Sequence, residues 1–367
     1  MLCLFAGVSG ALSANVTVLK SHINQKGTKP MFVLQKSTSV CAAILLCVTL
    51  LAGCSNQSEP EFTAAEPPVT ETTAAEISAE TTAESTAAAP SAETFDVTDA
   101  FEYEAGTPEI SGDLDTVKSV TFFRDGMKIA GRLFLPEGDG DFPLVVISSG
   151  QTASLYYYED EAKHFSENGI ACLTYDSIGA VGRSDSDGKL NDSSVFTEAA
   201  DLNVILDSLA DLPKVDASHV FLFGHSLGGL VCTYVGCHRA DELSGMILLE
   251  PSFQYPDFVR ETDPDLSKVP DIITDTRKYN TIVGKQFVID MHALDIFEFM
   301  PDFDEPVIIY LGTENCLGSM CPEYFARAKE TFPAAKTVTF EGADHFFQGD
   351  DGVRMTENAI AFVQQHL

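Results

Sequence analysis

Basic residues are scarce in this sequence. The 367-residue chain has 22 lysines and arginines against 55 aspartates and glutamates, which gives a formal net charge of −33. Nucleic-acid binding depends on basic side chains that neutralise phosphates, so this balance argues against a nucleic-acid partner. The shortage is uneven, because residues 55–117 contain no lysine or arginine. Part of the negative charge is therefore expected on an extended tail and not on a folded surface.

Two further absences bear on cofactors. No spacing of histidines and cysteines is typical of a zinc site, and no glycine-rich loop is typical of a phosphate or dinucleotide site. We therefore expect no metal and no cofactor. Downstream of Cys54 five cysteines remain, and their odd number forbids complete intramolecular pairing. Cys316 and Cys321 share one loop and are the candidates for a disulfide in an exported protein.

The N-terminal region lacks an apolar run long enough to span a membrane. The run at residues 40–51 follows a basic residue and precedes small residues, which predicts a secretory signal within residues 1–53 and translation from Met31. The signal ends in Leu-Ala-Gly-Cys, which resembles a bacterial lipobox. That resemblance implies that Cys54 becomes the lipid-modified first residue of a protein anchored on the outer face of the cell membrane. An ordinary signal peptide with a chance cysteine is the alternative.

Residues 54–112 are rich in threonine, alanine, glutamate, serine and proline and have few large apolar side chains. Such a segment cannot bury enough surface to offset the entropy lost on ordering. It predicts a disordered acidic tether that carries no chemistry. The folded domain is predicted to occupy residues 113–367.

The chain is organised around one strand-turn-helix unit. Val220–Phe223 has the apolar, β-prone character of a buried strand, and a helix-compatible segment follows closely. Between them, Gly224-His225-Ser226-Leu227-Gly228 matches Gly-x-Ser-x-Gly, the pattern of a sharp turn that exposes a serine hydroxyl at the top of a sheet. We therefore interpret Ser226 as a nucleophile; a structural glycine-rich turn is the alternative.

Strands alternate with helices through most of the folded part, which predicts a mainly parallel sheet covered on both faces. With the serine motif, this order resembles the α/β-hydrolase family over Val117–Leu367. The resemblance implies an α/β-hydrolase fold with a central, mainly parallel sheet, helices on both faces and an inserted helical lid. The alternation stops at about residues 252–304, which is where we expect the lid.

The same resemblance implies further site residues. The family order is serine, then acid, then histidine near the end of the chain, and His345 follows the predicted last strand at Thr337–Phe340. The backbone N–H groups of Leu227 and Gln151 would form the oxyanion hole. A loop residue with its amide turned away is the alternative for Gln151.

The catalytic acid departs from the family pattern. Its usual position holds Asn315, and an amide can orient an imidazole but cannot offset its positive charge. Glu250 ends the preceding strand, at the position where haloalkane dehalogenases of this fold keep their acid. Glu314, beside the usual position, is the second candidate, and the third possibility is that neither serves.

Together these residues predict an extracytoplasmic serine hydrolase that cleaves carboxylic esters through an acyl-enzyme. The expected substrate is a small-molecule or polysaccharide-linked ester, and the lid sequence at 285–287 and 294–297 distantly resembles cinnamoyl and feruloyl esterases. A non-catalytic binding lipoprotein on the same scaffold is one alternative. A peptidase or amidase of the same fold is another.

Overall fold

The three-dimensional description comes from a computed structural model and covers residues 94–112, 116–181, 184–314 and 322–367. The predictions for the signal region, Cys54, most of the tether, Asn315 and the Cys316–Cys321 pair lie outside these residues. Among the helices of the described ranges, none is both long and apolar enough to cross a membrane.

A nine-stranded sheet forms the centre of the domain. Its strands are β1 (Ala105–Ser111), β2 (Val117–Arg124), β3 (Met127–Phe134), β4 (Phe142–Ser148), β5 (Ala171–Asp176), β6 (Val215–His225), β7 (Gly245–Leu249), β10 (Val307–Gly312) and β11 (Ala335–Phe340), and a separate two-stranded pair consists of β8 (Ile272–Ile273) and β9 (Val283–Gly284). The helices are α1 (Glu159–Glu167), α2 (Val195–Asp207), α3 (Leu227–His238), α4 (Tyr255–Thr262), α5 (Thr276–Tyr279), α6 (Lys285–Ala293), α7 (Pro322–Thr331) and α8 (Asp350–Gln365).

The strand order in the large sheet is β1-β2-β3-β5-β4-β6-β7-β10-β11. The pairs from β5 through β4 to β11 are parallel, whereas β1, β2 and β3 form an antiparallel edge joined to β5. Carboxyl ends of the parallel strands therefore meet at one edge of the sheet, and in such sheets ligands bind outside that edge.

Alternate residues of the central strands pack in two separate hydrophobic cores, one on each face of the sheet. On β4, Leu144 and Val146 pack in the core that includes residues of α2 and α3. Val145 and Ile147 point to the opposite face, into the core shared with α1 and α8. Burial of both strand faces explains why the strand is continuously apolar. The predicted fold class, a mainly parallel sheet with helices on both faces, is confirmed.

The N-terminal boundary differs from the predicted residue 113. The strand β1 lies inside the segment predicted as tether and pairs with β2 along the sheet edge. All seven of its residues are partly or fully exposed, and its sequence lacks the apolar alternation that identifies a strand. Asp125 and Gly126 form the hairpin turn between β2 and β3, and both residues have positive φ.

A residue before β1 is hydrogen-bonded to α6, which lies in the segment between β7 and β10. The carboxylate of Asp290, on α6, is 0% exposed. It accepts hydrogen bonds from the N–H of Thr98 at 3.0 Å, the hydroxyl of Ser194 at 2.5 Å and the side-chain amide of Gln286 at 2.8 Å. One buried carboxylate thus joins the segment before β1, the start of α2 and the cap.

We use "cap" for the segment between β7 and β10, residues 250–306. It contains α4, α5 and α6 and the β8–β9 pair, and its irregular composition of short elements contrasts with the strand-helix alternation elsewhere. Helices α4 and α6 pack against each other through ring contacts such as that of Tyr255 with Phe287, whose centroids are 5.7 Å apart. The cap begins at the carboxyl edge of the sheet.

Candidate active site

Ser226 occupies the turn between β6 and α3. Its φ of 56° and ψ of −117° are rarely adopted by a residue with a side chain, and holding such a conformation costs on the order of 1–3 kcal/mol. The N–H of Ser226 donates to the carbonyl of Leu249 on the neighbouring β7 at 3.0 Å, which helps to hold the turn. The turn lifts the side chain above the carboxyl edge of the sheet.

The glycines of the motif are required by close backbone contacts. A Cβ atom on Gly228 would lie 2.2 Å from the carbonyl oxygen of Ser148, and one on Gly224 would lie 2.5 Å from the carbonyl oxygen of Gly228. Both distances are far below any real contact, so only glycine allows β4, β6 and α3 to approach this closely.

The half-buried Ser226 lines a cavity of about 940 Å³ between the sheet edge and the cap. His345 and Gln151 line the same cavity, so three residues singled out in the sequence are brought together there. The other walls are rich in aromatic side chains from the cap, from α7 and from two loops: Tyr157, Tyr255, Phe258, Tyr279, Tyr324 and Phe346. The cavity is large enough for a small organic ligand.

His345 lies in the loop after β11, as the sequence predicts, and is 2% exposed. Burial lowers its pKa from 6.5 to about 4, with the carboxylate of Asp344 acting in the opposite direction. The imidazole is therefore neutral near pH 7, which is the form that can accept a proton. Within the described residues, Nδ1 of His345 has no hydrogen-bond partner.

His225 connects the serine turn to the His345 loop. Its Nε2 lies 3.0 Å from the carbonyl oxygen of His345, and the two rings pack with centroids 4.7 Å apart. Burial and the neighbouring His345 lower the pKa of His225 to about 3. A neutral ring with a proton on Nε2 can donate this bond, so His225 supports the His345 loop.

Both candidate acids lie beside the His345 loop. Glu250 is 0% exposed, and its Oε1 accepts a hydrogen bond from the N–H of Gly312 at 2.5 Å. Gly312 touches that loop, since a Cβ there would lie 2.3 Å from the carbonyl oxygen of Ala343. Glu314 is exposed, and its backbone N–H donates to the carbonyl of Ala343 at 2.9 Å. Neither carboxylate bonds Nδ1 of His345 in the described part of the chain, and the acid stays a prediction.

The two predicted oxyanion donors flank Ser226. Leu227 is the first residue of α3, where the backbone N–H has no acceptor within the helix. Gly150 precedes Gln151, and a Cβ on Gly150 would lie 3.1 Å from the Cβ of Ser226. The loop that carries Gln151 therefore runs against the serine turn. The role of the Leu227 and Gln151 N–H groups as donors to an oxyanion stays a prediction.

Ser252 is a residue of this site that sequence reasoning missed. Its Oγ lies 3.2 Å from the Oγ of Ser226, and it lines the same cavity. It belongs to the turn after β7, and its contact arises only when β7 pairs with β6. A serine after a buried strand carries no signal of its own, so only the three-dimensional arrangement could find it.

Over the ranges that the structure describes, no group of three or more histidine, cysteine, aspartate or glutamate side chains is arranged to hold a metal ion. The three described cysteines, Cys172, Cys232 and Cys237, are buried free thiols. Burial raises the pKa of each, so these thiols are poor nucleophiles.

Comparison with protein families gives a match at residues 142–286 to the family described as "Serine aminopeptidase, S33". This range contains Ser226 and ends before His345. Among curated proteins, the chain is 30% identical over 151 residues to Esterase FrsA of Escherichia fergusonii, a match that covers 41% of this chain. It covers 34% of that protein, so the chain spans about a third of the length of this curated relative.

Solved structures with the same fold align with most of the described domain. Est1E from Butyrivibrio proteoclasticus, solved with ferulic acid bound, matches with a TM-score of 0.58 and 23% identity over 66% of this chain and 96% of that one. The α/β-hydrolase GrgF from Penicillium sp. sh18 matches with a TM-score of 0.55 and 17% identity over 72% and 99%. The chain therefore has the α/β-hydrolase fold.

Proposed function

We propose that this protein is a serine hydrolase that cleaves carboxylic esters through an acyl-enzyme intermediate. One observation carries the proposal: Ser226, held in a strained turn, and His345, neutral at physiological pH, line the same cavity. A serine hydroxyl becomes an effective nucleophile only beside such a base. The family match and the esterase relative support the class of reaction.

In the proposed reaction, the Oγ of Ser226 bonds to the ester carbonyl carbon while its proton passes to His345. The N–H groups of Leu227 and Gln151 stabilise the oxyanion, a contribution that is typically worth about 3–4 kcal/mol per donor. Collapse of the tetrahedral intermediate expels the alcohol, which takes the proton from His345. Water then attacks the acyl-enzyme with His345 as base, and Glu250 is proposed to stabilise the imidazolium.

The aromatic walls favour an ester that carries a flat apolar group. Tyr255, Tyr279 and Phe287 form a ring cluster in the cap, with centroids 5.7–6.5 Å apart. The rings of Tyr255 and Tyr279 also reach the cavity. Such rings stack on planar groups. Aryl esters and esters of aromatic acids are therefore the first substrates to test, with short aliphatic esters for comparison.

The test is hydrolysis of 4-nitrophenyl acetate and methyl ferulate by the wild type and by Ser226→Ala. We expect the variant to lose at least about 10³-fold in kcat/KM, while circular dichroism and the thermal midpoint remain those of the wild type. Equal rates for the two proteins would refute the proposal. In that case a non-catalytic binding role on the same scaffold would be favoured.

An aminopeptidase is the second candidate, because the family match carries that description. Two exposed carboxylates of the cavity lining, Glu261 and Glu323, could bind the free amine of such a substrate. Amino-acid 4-nitroanilides with a free and with a blocked amine separate the two activities. Turnover of the free-amine substrate that exceeds ester turnover and is lost in Glu261→Gln would favour the peptidase.

We also propose export and lipid anchoring at Cys54, on the sequence pattern alone. Expression of the full chain in a bacterial host with labelled palmitate would test it. Incorporation that is lost in Cys54→Ser, with the wild type in the membrane fraction, is the expected result. Equal incorporation in both proteins would contradict the proposal.

A further inference from the structure

Two strained turns lie side by side at the carboxyl edge of the sheet. Strands β6 and β7 are parallel neighbours, and each is followed by a non-glycine residue with positive φ, 56° at Ser226 and 45° at Glu250. Such residues persist only where the surrounding structure enforces them. The second turn therefore has a defined geometry that is as constrained as that of the nucleophile.

The two turns are locked to each other by backbone contacts. The N–H of Ser252 donates to the carbonyl of Ser226 at 3.0 Å. A Cβ on Gly229 would lie 2.6 Å from the Cβ of Pro251, so the helix after the nucleophile packs directly on the second turn. Ser252 is consequently fixed relative to Ser226 by the pairing of β6 with β7 and by these turn contacts.

The side chains of the two serines meet as well. Their Oγ atoms are 3.2 Å apart, and either hydroxyl can be the donor. Ser252 is 5% exposed, and this is the hydrogen bond that the structure gives its hydroxyl. When the Ser226 proton is directed to His345, Ser226 Oγ must be the acceptor, and Ser252 becomes the donor.

We propose that Ser252 acts on the nucleophile: its hydroxyl donates a hydrogen bond to Ser226 Oγ, holds that side chain in its reactive rotamer and stabilises the negative charge that develops as the proton leaves. This inference rests on the proposed function of Ser226. Ser252 keeps its own proton throughout. The bond that forms is from Ser226 Oγ to the acyl carbon, the carbonyl π bond breaks to the oxyanion, and the serine proton moves to His345.

The effect should be on reactivity and not on substrate binding. Hydrogen bonds to charged groups are stronger than neutral ones, and the charge on Oγ is only partial before the transition state. We expect removal of the Ser252 hydroxyl to slow acylation by about 10- to 100-fold. The dissociation constant of the non-covalent complex should change by less than about twofold, because Ser252 touches the nucleophile itself.

The test measures covalent labelling of Ser226 by a fluorophosphonate, followed by intact mass, in the wild type and three variants. Ser252→Ala removes the hydroxyl. Ser252→Thr and Ser252→Val are a matched pair of nearly equal shape, of which only the first keeps a hydroxyl. We expect the maximal labelling rate to fall about 10- to 100-fold in the alanine and valine variants and to stay within about threefold of wild type in the threonine variant.

The outcomes separate the two proposals. A wild type that is not labelled at Ser226 refutes the serine-hydrolase proposal, and this inference with it. A labelled wild type with equally fast alanine and valine variants overturns the role of Ser252 and leaves the hydrolase proposal intact. If the alanine variant fails to fold, the threonine and valine pair still decides, because equal rates in those two proteins exclude a role for the hydroxyl.

Discussion

The pH at which His345 loses its proton can be worked out from its surroundings. Burial lowers the pKa from 6.5 to about 4, which corresponds to about 3 kcal/mol of preference for the neutral ring. If His345 is the general base, kcat/KM should be half-maximal near pH 4 and nearly constant from about pH 5 to 8. An unperturbed histidine would instead give a half-maximal rate near pH 6.5.

The assay is inactivation by an uncharged sulfonyl fluoride between pH 3.5 and 8, so that ionisation of a substrate cannot shape the profile. Both buried histidines, His225 and His345, have folded pKa values below the unfolded value near 6.5. Their contribution to stability is therefore complete above about pH 6.5 and is lost as the pH falls towards about 4 for His345 and about 3 for His225. The folded fraction must be measured at each pH by circular dichroism.

A control comes from Asp344, the carboxylate that raises the pKa of His345. In the wild type, the backbone N–H groups of Phe346 and Phe347 donate hydrogen bonds to the carboxylate of Asp344. Asp344→Asn keeps an oxygen that can accept both bonds. It should move the half-maximal point to lower pH. A wild-type midpoint at or above pH 6.5 would refute the argument from burial, because a carboxylate must then reach Nδ1 of His345 in the working enzyme.

Three further outcomes are expected. Gly228→Ala should lower the free energy of unfolding by about 2 kcal/mol or more, because its Cβ would overlap a backbone carbonyl; a urea midpoint equal to that of the wild type would contradict this. Glu250→Gln should reduce kcat by on the order of 10³-fold while Glu314→Gln stays within about twofold, and the reverse order in ester turnover would assign the acid to Glu314. Arg124→Met should lower the free energy of unfolding by about 3–5 kcal/mol, because Arg124 Nε lies 2.7 Å from the carboxylate of Asp201, which is 0% exposed. A urea unfolding curve equal to that of the wild type would show that Asp201 tolerates the loss of Arg124.

Most of the fold was predictable because its physical causes are local. Strands such as β4 and β7 are buried on both faces, so they read as short continuous apolar runs between turns. The motif at Ser226 combines such a strand with glycines, which are required because neighbouring backbone segments approach too closely for a Cβ atom. Each of these signals lies within about ten residues of sequence.

The rest depends on contacts between distant segments. Strand β1 forms at the sheet edge from mostly exposed residues, and only pairing with β2 defines it. The approach of Ser252 to Ser226 follows from the pairing of β7 with β6, and no pattern around residue 252 signals it. The placement of Glu250 depends likewise on β10, whose Gly312 binds its carboxylate.

The carboxylate of Asp290 has a consequence for where this domain can be cut. A shortened chain that started at β1 would keep every strand of the sheet, yet it would remove the N–H of Thr98, a donor 192 residues away in sequence. The acid would then be left buried with fewer hydrogen bonds, and α6 would lose part of its fastening. A truncation meant to keep α6 in place should therefore begin before Thr98.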